Sequence, residues 1–248
     1  MRLDVFFGAH EVAPGDTAGR LVAVIDVLRA STSIAAALAN GARAVVPFDT
    51  SGEVVARAKT LSRSEVRLAG EQKMLPIAGF DLGNSPCDFT SSAVGGKTVL
   101  ICTTNGTRAL TAVQGARDVV VASYVNLTAV LALLGTALRG GTDVSIICAG
   151  RGRQFGLEDA GCAGRYVNQI TRRLTSVDLN DAATAASLID REYADDLSRL
   201  FLASSHGRAL RDAGFADDLD VCASVDAFGV VPVYAERQIT KIGPERTR

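Results

Sequence analysis

The chain has few histidines and cysteines, the residues from which disulfide bonds and many metal sites are built. Its 248 residues include no tryptophan, two histidines and five cysteines. The cysteines are odd in number and widely spaced, and no two of them form a C-x-x-C pair. This pattern argues against a zinc site and against a disulfide framework. Two histidines are also too few for a histidine-rich transition-metal centre.

Charge of one sign and long apolar runs are also missing. The chain has 26 basic and 27 acidic side chains, for a net charge of −1, so no cationic field is available to hold nucleic acid. The longest apolar stretch, residues 127–138, is shorter than the roughly 20 residues that span a bilayer. The beginning, MRLDVFF, does not resemble a signal peptide. We expect a cytoplasmic protein with neither a nucleic-acid nor a membrane partner.

Common nucleotide and hydrolase motifs are absent too. The sequence has no G-x-x-x-x-G-K-[ST] phosphate loop and no G-x-G-x-x-G dinucleotide fingerprint. It also has no G-x-S-x-G nucleophile motif. The residues after Asp26 do not form the D-x-D of aspartyl-phosphate phosphatases. These absences leave nucleotide binding and serine-hydrolase chemistry without support.

Apolar strands alternate with helical stretches along most of the chain. Strand-like runs occupy residues 3–7, 21–27, 44–48, 66–69, 97–102, 118–122, 143–148 and 230–234, and helical patterns occupy 51–62, 106–113, 127–139 and 158–174. Continuous apolar strands separated by helices indicate a sheet that is covered on both faces. The sequence therefore predicts a three-layer α/β fold with a mixed or mostly parallel sheet between helices. We expect one domain over residues 1–248, with a helical subregion at 178–213.

Polar turns follow three of these strands where helices begin. The turns contain Asp26, Arg29 and Ser31-Thr32-Ser33; then Thr103-Thr104-Asn105-Gly106-Thr107-Arg108; and then Arg151-Gly152-Arg153 before Glu158-Asp159. Helix N-termini carry unpaired N–H groups and partial positive charge, which suit phosphate. Arginines add paired donors for anionic oxygens. A single such turn is often ordinary helix capping, but three of them together predict a site for a molecule with several negative charges.

Carboxylates near the turns are candidate metal ligands. They are Asp26, Glu71, Asp81, Glu158 and Asp159. Magnesium prefers oxygen ligands, often takes only one or two carboxylates, and commonly bridges to phosphate. Asp26 is the strongest candidate, because it ends an apolar strand where an unpaired buried charge would be costly. Glu158 and Asp159 are equally compatible with stabilising a helix N-terminus.

Cys102 and Arg108 offer an alternative chemistry. They have the C-x5-R spacing of cysteine-dependent phosphatases, in which a thiolate attacks phosphorus. No histidine precedes Cys102, however, and the residue continues the apolar run of its strand. Three hypotheses remain open at this point: metal-assisted phosphoryl transfer to water, a cysteine-dependent phosphatase, and a small-anion binding protein without catalysis.

Longer segments of the chain resemble the 2-phosphosulfolactate phosphatase family. In order, they are VIDVLRASTSIAAALANGA, GFDLGNSP, TTNGTRAL and CAGRGRQFGLEDAGCAG. The resemblance is strong over residues 21–164 and continues more faintly through Ser205-His206-Gly207. It implies a magnesium-dependent hydrolase that converts 2-phospho-3-sulfolactate to sulfolactate and phosphate, a step towards coenzyme M. After Gly70-Glu71 the family usually continues with an arginine and small residues, whereas this chain has Gln72-Lys73-Met74.

The residues and the resemblance together give a predicted site for a small anionic phosphate ester. We assign catalytic roles to Asp26, Arg29, Asn105 and Glu158, and magnesium binding to Asp26 with Glu158, Asp159 or both. The predicted substrate-binding residues are Ser31, Thr32, Ser33, Glu71, Asn84, Thr103, Thr104, Gly106, Thr107, Arg108 and Arg151. His206 is a candidate general acid or base. Another small phosphate ester is the alternative substrate, and the sequence is compatible with a homo-oligomer.

Overall fold

A computed structural model describes residues 1–111, 113, 115–152 and 154–242, with Pro14, Thr107 and Arg108 described by backbone alone. Within these residues the α-helices are α1 (Ala30–Ala39), α2 (Ser51–Ala58), α3 (Ser91–Val94), α4 (Gly106–Thr111), α5 (Leu127–Arg139), α6 (Leu157–Thr171), α7 (Asp181–Tyr193), α8 (Leu197–Ala203), α9 (Ser205–Asp212) and α10 (Ala216–Ala223). The predicted helix at residues 127–139 has the same bounds as α5. The other predicted helices end two to four residues beyond α2, α4 and α6, and the one predicted from residue 158 begins one residue after α6 does, because side-chain periodicity does not mark the last hydrogen-bonded turn.

The strands of the described residues form one sheet. They are β1 (Arg2–Phe6), β2 (Leu21–Ile25), β3 (Ala44–Phe48), β4 (Val66–Gln72), β5 (Leu75–Pro76), β6 (Thr98–Cys102), β7 (Asp118–Ala122), β8 (Val144–Cys148), β9 (Asp178–Leu179), β10 (Pro232–Ala235) and β11 (Gln238–Lys241). Their order across the sheet is β5-β4-β6-β3-β11-β10-β7-β2-β8-β1-β9. The predicted α/β class, with a mostly parallel sheet flanked by helices, is confirmed.

An antiparallel hairpin joins two parallel blocks of this sheet. In one block β2 runs parallel to both β7 and β8, and in the other β6 runs parallel to β3 and β4. Strands β10 and β11 pair with each other and insert between the blocks, antiparallel to β7 and β3. The short strand β11, QITK, contains a single apolar residue and so has no apolar run by which to predict it. Because β10 is distant in sequence from both blocks, only the folded chain reveals that it connects them.

Helix α1 is the buried centre of the molecule. Every residue from Ala30 to Leu38 is buried, which is why its sequence is rich in alanine: small side chains let neighbouring elements approach from all directions. The helix contacts β3, β7 and β10, while α4 contacts β2. An added Cβ on Gly106, the first residue of α4, would lie 2.6 Å from the Ala30 Cβ. The N-termini of α1 and α4 therefore meet, and the carboxyl ends of β2 and β6 converge although these strands are not adjacent.

The helices after residue 180 pack beside this convergence. α6 and α7 approach closely, since an added Cβ on Gly164 would lie only 1.9 Å from the Ala186 carbonyl oxygen. Polar side chains begin three of the helices: Asn180 caps α7, Asp196 caps α8, and Ser204 caps α9 through the Gly207 N–H. Helices α9 and α10 then contribute side chains to the site. In the described residues none of the helices combines the length and apolar character needed to cross a bilayer.

Candidate active site

The three polar turns predicted from the sequence meet around one cavity of about 190 Å³ at the carboxyl ends of the strands. Ligands of open α/β sheets bind at this edge. The turn between β4 and β5 and the start of α9 complete the wall. The lining residues are Asp26, Leu28, Arg29, Glu71, Lys73, Met74, Asn84, Thr103, Thr104, Asn105, Arg151, Gly152 and His206. The sequence therefore identified most of this wall, from segments that are far apart along the chain.

Asp26 is a buried carboxylate in the cavity wall. It is only 7% exposed, and its Oδ1 accepts a long 3.4 Å hydrogen bond from the Ala30 N–H. Its Oδ2 accepts no hydrogen bond within the described part of the chain. Burial, with smaller contributions from Glu158 and Glu71, raises the pKa of Asp26 to about 6, although His206 and the Ala30 N–H oppose the rise. Within the described residues the carboxylate thus lacks the strong hydrogen-bond donors that would offset the cost of burying its charge.

His206 and Glu158 form a pair beside Asp26. The His206 Nδ1 lies 3.1 Å from the Glu158 Oε1, and the side chains are 13% and 3% exposed. His206 lines the cavity, whereas Glu158 lies behind it. With Nδ1 engaged by the carboxylate, Nε2 is the ring nitrogen available to exchange a proton. Glu158, which was predicted to bind metal or act directly, does not line the cavity and contacts His206.

Asp159 joins the ends of two strands. Its Oδ1 accepts a 2.8 Å hydrogen bond from the Val27 N–H after β2, and its Oδ2 accepts a 3.0 Å bond from the Gly150 N–H after β8. Burial, together with Glu158 and Asp26, raises its pKa well above the usual range. Asp159 does not line the cavity. Of the three carboxylates predicted to bind metal, Asp26 is therefore the one that faces the cavity.

Arg29 lines the cavity and is fixed from behind. Its Nη1 donates to the Asp218 Oδ2 at 2.7 Å, and its Nη2 donates to the Met74 carbonyl oxygen at 2.8 Å. Its guanidinium lies 4.5 Å from the centre of the Phe215 ring. A guanidinium has five N–H donors, so these two contacts orient the group and leave donors for a bound anion. Neither Phe215 nor Asp218 had any sequence signal for this role, because they lie almost 190 residues beyond Arg29.

Ser31, Thr32 and Ser33 point away from the cavity. Ser31 Oγ accepts a hydrogen bond from the Asp26 N–H at 2.9 Å. Thr32 Oγ1 donates to the Val27 carbonyl, and Ser33 Oγ donates to the Asn84 carbonyl at 2.8 Å. All three are buried and absent from the cavity wall. Their predicted contacts with substrate are not what this geometry provides, because helix α1 is surrounded on all sides and turns its hydroxyls to neighbouring backbone.

Glu71 holds two loops of the cavity in place. Its Oε1 accepts hydrogen bonds from the N–H and hydroxyl of Thr104, at 2.8 and 2.7 Å. Its Oε2 accepts one from the Met74 N–H at 2.8 Å. Asn105 Oδ1 similarly accepts from the Gly152 N–H at 2.9 Å and ties the loop after β6 to the loop after β8. Glu71 thus borders the cavity, as predicted, with its oxygens already engaged by protein donors.

The side-chain oxygen of Asn84 is a buried polar atom of this wall. Asn84 is 5% exposed, and its Oδ1 is buried without a hydrogen-bond partner in the described structure. A buried acceptor without a hydrogen-bond donor lowers the stability of the folded protein unless a bound group interacts with it. Thr103, also predicted, lines the cavity nearby. The predicted contacts of the Thr107 and Arg108 side chains, and of Arg153, lie outside the described residues.

The donor set fits a hard, oxygen-preferring cation better than a transition metal. Within the part of the chain that the structure describes, Asp26 Oδ2 and Asn84 Oδ1 accept no hydrogen bond, and the buried negative charge at Asp26 favours a cation. In the residues that the structure describes, no three His, Cys, Asp or Glu side chains converge as a metal cluster. Magnesium does not need such a cluster, since it keeps several waters and is commonly completed by phosphate oxygens.

Cys102 opens to a different cavity. Its thiol is 7% exposed and lines a neighbouring space of about 300 Å³. Burial, followed by the charges of Glu71, Asp49 and Glu53, raises its pKa. A nucleophilic cysteine needs the opposite surroundings, with cations that stabilise the thiolate. These surroundings therefore disfavour the thiolate, and Cys102 does not line the cavity that contains Asp26.

Comparison with known proteins agrees with the geometry. A family model described as 2-phosphosulpholactate phosphatase matches residues 8–237. A protein of Symbiobacterium thermophilum named "Probable 2-phosphosulfolactate phosphatase" is 41% identical over 224 residues, which cover 90% of this chain and 95% of the relative. Proteins with the same name in Clostridium beijerinckii and a Synechococcus species are 36% and 38% identical, and the matches cover 97% and 94% of this chain and 99% and 95% of the relatives.

Proposed function

This chain belongs to the 2-phosphosulfolactate phosphatase family of phosphoric monoester hydrolases, and on that premise we propose that it hydrolyses 2-phospho-3-sulfolactate with Mg²⁺. The products are 3-sulfolactate and inorganic phosphate, in a cytoplasmic step of the coenzyme M type. The observation that carries the proposal is the buried Asp26 carboxylate, which faces a cavity with Arg29 and the His206–Glu158 pair around it.

The chemistry of the cavity wall suits this substrate. Phosphosulfolactate carries a phosphate, a sulfonate and a carboxylate on three carbons, so it needs several donors within a small volume. The wall supplies cationic groups at Arg29, Lys73 and Arg151 and polar groups on the loop after β6. Its size of about 190 Å³ is appropriate to a compact anion.

Asp26 is the carboxylate that would hold Mg²⁺, and the Asn84 Oδ1 is a second oxygen donor for it. Bound Mg²⁺ supplies neutralisation of the negative charge on the phosphate oxygens. Asp159 acts indirectly, because its two hydrogen bonds fix the backbone on either side of the site. The oxygen-rich, imidazole-poor donor set favours Mg²⁺ over a transition metal.

Arg29 binds oxygens of the transferring phosphoryl group. Its orientation is set by Asp218 and the Met74 carbonyl, so little reorganisation is needed as charge redistributes in the transition state. The Thr104–Asn105 segment, fixed by Glu71 and Gly152, forms the opposite boundary of the anion site. Alignment and charge stabilisation supply most of the rate in phosphoryl transfer.

His206 moves the proton. Water attacks phosphorus while the bond from phosphorus to the C2 oxygen breaks, and protonated His206 donates its Nε2 proton to the departing oxygen. The proton released by the attacking water returns to the ring, so the enzyme is restored. Glu158 keeps the imidazole oriented through its contact with Nδ1.

Phosphate release from synthetic 2-phospho-3-sulfolactate tests the proposal. Protein stripped with EDTA is expected to be inactive and to recover with Mg²⁺. Full turnover without metal, together with its loss in Cys102→Ser, would establish the cysteine mechanism instead. Tight binding of the ester without phosphate release would indicate a binding protein. Turnover of other phosphate monoesters at a higher kcat/KM would identify a different substrate.

A further inference from the structure

Two cationic side chains in the cavity wall have no protein partner. Arg29 is bound by Asp218 and the Met74 carbonyl, and His206 is bound by Glu158. Lys73 and Arg151 also line the cavity, yet among the described residues neither side chain makes a hydrogen bond or an ion pair. Lys73 is exposed and Arg151 is half-buried. Both charges are therefore available to a ligand without first breaking a protein contact.

Lys73 is presented by an unfavourable backbone turn. The hairpin pairs Gln72 with Leu75, and its two turn residues, Lys73 and Met74, have φ values of 53° and 72°. Two-residue turns with positive φ at both positions favour Asn-Gly, because most side chains are strained there. Placing Lys-Met at such a turn sacrifices local stability, which is more easily explained by a function of the lysine than by folding.

The same turn is fastened to the arginine that binds phosphate. The Met74 N–H donates to the Glu71 Oε2 at 2.8 Å, and the Met74 carbonyl accepts from the Arg29 Nη2 at 2.8 Å. The backbone next to Lys73 is therefore fixed relative to Arg29. A substrate whose phosphate is held by Arg29 would have its other groups within the cavity that Lys73 borders.

The substrate has two anionic groups besides the phosphate, a sulfonate and a carboxylate, and the cavity wall has two free cations. A guanidinium binds either kind of anion through parallel N–H donors, and an ammonium binds either through three rotatable donors. Lys73 lies on the turn that is hydrogen-bonded to Arg29, whereas Arg151 follows β8. We propose that Lys73 binds the substrate's sulfonate and selects for it, while Arg151 binds the carboxylate. This assignment rests on the proposed function.

Two substrates separate these roles. 2-Phospholactate has the phosphate and carboxylate of 2-phospho-3-sulfolactate but lacks the sulfonate. Lys73→Asn removes the charge with a residue that tolerates positive φ, so the turn is retained. We expect it to lower kcat/KM for the sulfonated ester by about 10-fold or more, the scale of one charge-assisted hydrogen bond. For 2-phospholactate, the same substitution should lower kcat/KM by less than about threefold, because no contact with a sulfonate is lost.

Arg151→Gln is the matched comparison. It is expected to lower kcat/KM for both esters by similar factors, because both contain the carboxylate, and so to preserve the ratio between them. Lys73→Arg should keep most of the selectivity, whereas Lys59→Asn, which removes an exposed lysine directly after α2 and outside the cavity wall, should change kcat/KM for neither substrate.

The result that would overturn the inference is an unchanged preference for the sulfonated ester in Lys73→Asn, or an equal loss with both esters. Circular dichroism and the melting temperature of each variant show whether the fold is retained. If the unsubstituted protein hydrolyses neither ester, the proposed function fails. If it prefers the sulfonated ester and Lys73→Asn keeps that preference, only the role of Lys73 fails.

Discussion

Replacing Asp26 with asparagine should remove activity and make the metal-free protein more stable. The side chain is 7% exposed and has one weak hydrogen bond, from the Ala30 N–H at 3.4 Å. Its charge is repelled by Glu158 and Glu71. Asparagine has nearly the same shape and no charge, so Asp26→Asn should relieve the repulsion and lose the metal ligand together. A carboxylate with a purely structural role would give the opposite change in stability.

The pKa of Asp26 gives the size of the effect. It rises from 3.8 to about 6 on folding, so the folded protein holds the proton more tightly than the unfolded chain. Stability from this group is fully present below about pH 4 and is lost as the pH rises through 6. Two pKa units correspond to about 3 kcal/mol. At pH 8 the metal-free variant should therefore melt about 6 to 12 °C above the unsubstituted protein.

Thermal melts at pH 8 and pH 4.5, with and without Mg²⁺, provide the assay. The difference between the two proteins should be largest at pH 8 without metal and shrink towards pH 4.5. Mg²⁺ should raise the melting temperature of the unsubstituted protein by mass action and leave Asp26→Asn unchanged. Turnover of the variant should fall by about 100-fold or more, the scale of losing a strong electrostatic contact.

Asp178→Asn is the control for general charge effects. Asp178 is exposed on β9 at the edge of the sheet, so its substitution should change neither the pH dependence nor turnover. A lower melting temperature for metal-free Asp26→Asn at pH 8, with normal turnover per folded molecule, would refute the reasoning. Asp26 would then be an ordinary structural carboxylate.

Other substitutions test the remaining parts of the site. Cys102→Ser should keep most of the activity, since the thiol is buried among acidic groups and opens to another cavity; a loss of several orders of magnitude in folded protein would contradict this. His206→Gln should lower kcat by about 10²- to 10⁴-fold, as for other general acids, and unchanged kcat would exclude proton transfer by the ring. Gly106→Ala would place a Cβ 2.9 Å from the Asp26 Oδ2. The overpacking should lower the free energy of unfolding by about 1–3 kcal/mol and should lower the activity as well. Normal stability and activity would show that the loop can move aside.

Features governed by local sequence could be predicted well. The apolar runs located β2, β7 and β8 closely, because central parallel strands are buried on both faces and need continuous apolar residues. The alternation of strands and helices gave the α/β class. Asp26 was identifiable because a charge at the end of a buried strand requires a partner. The loops at Thr103–Asn105 and Arg151 were predicted because the carboxyl ends of strands form the binding edge.

Features governed by long-range contacts could not be predicted in this way. The local pattern at Ser31–Ser33 is that of an anion-binding helix entry, yet burial of α1 on every side turned those hydroxyls to the backbone. Glu158 and Asp159 are adjacent in sequence, but one orients His206 and the other links two strands. Their roles differ because successive residues of a helix face different directions.

The sequence by itself determined the apolar strands, the fold class and the strand ends where an anion could bind, since each depends on residues that are neighbours along the chain. Only the tertiary structure decided which polar groups reach the cavity. It brought His206 from α9 to Glu158, Asp218 from α10 to Arg29, and the Lys73–Met74 turn to the same arginine. Such pairings depend on how distant segments pack and on which donors are consumed by neighbouring backbone, and no local pattern of residues specifies either.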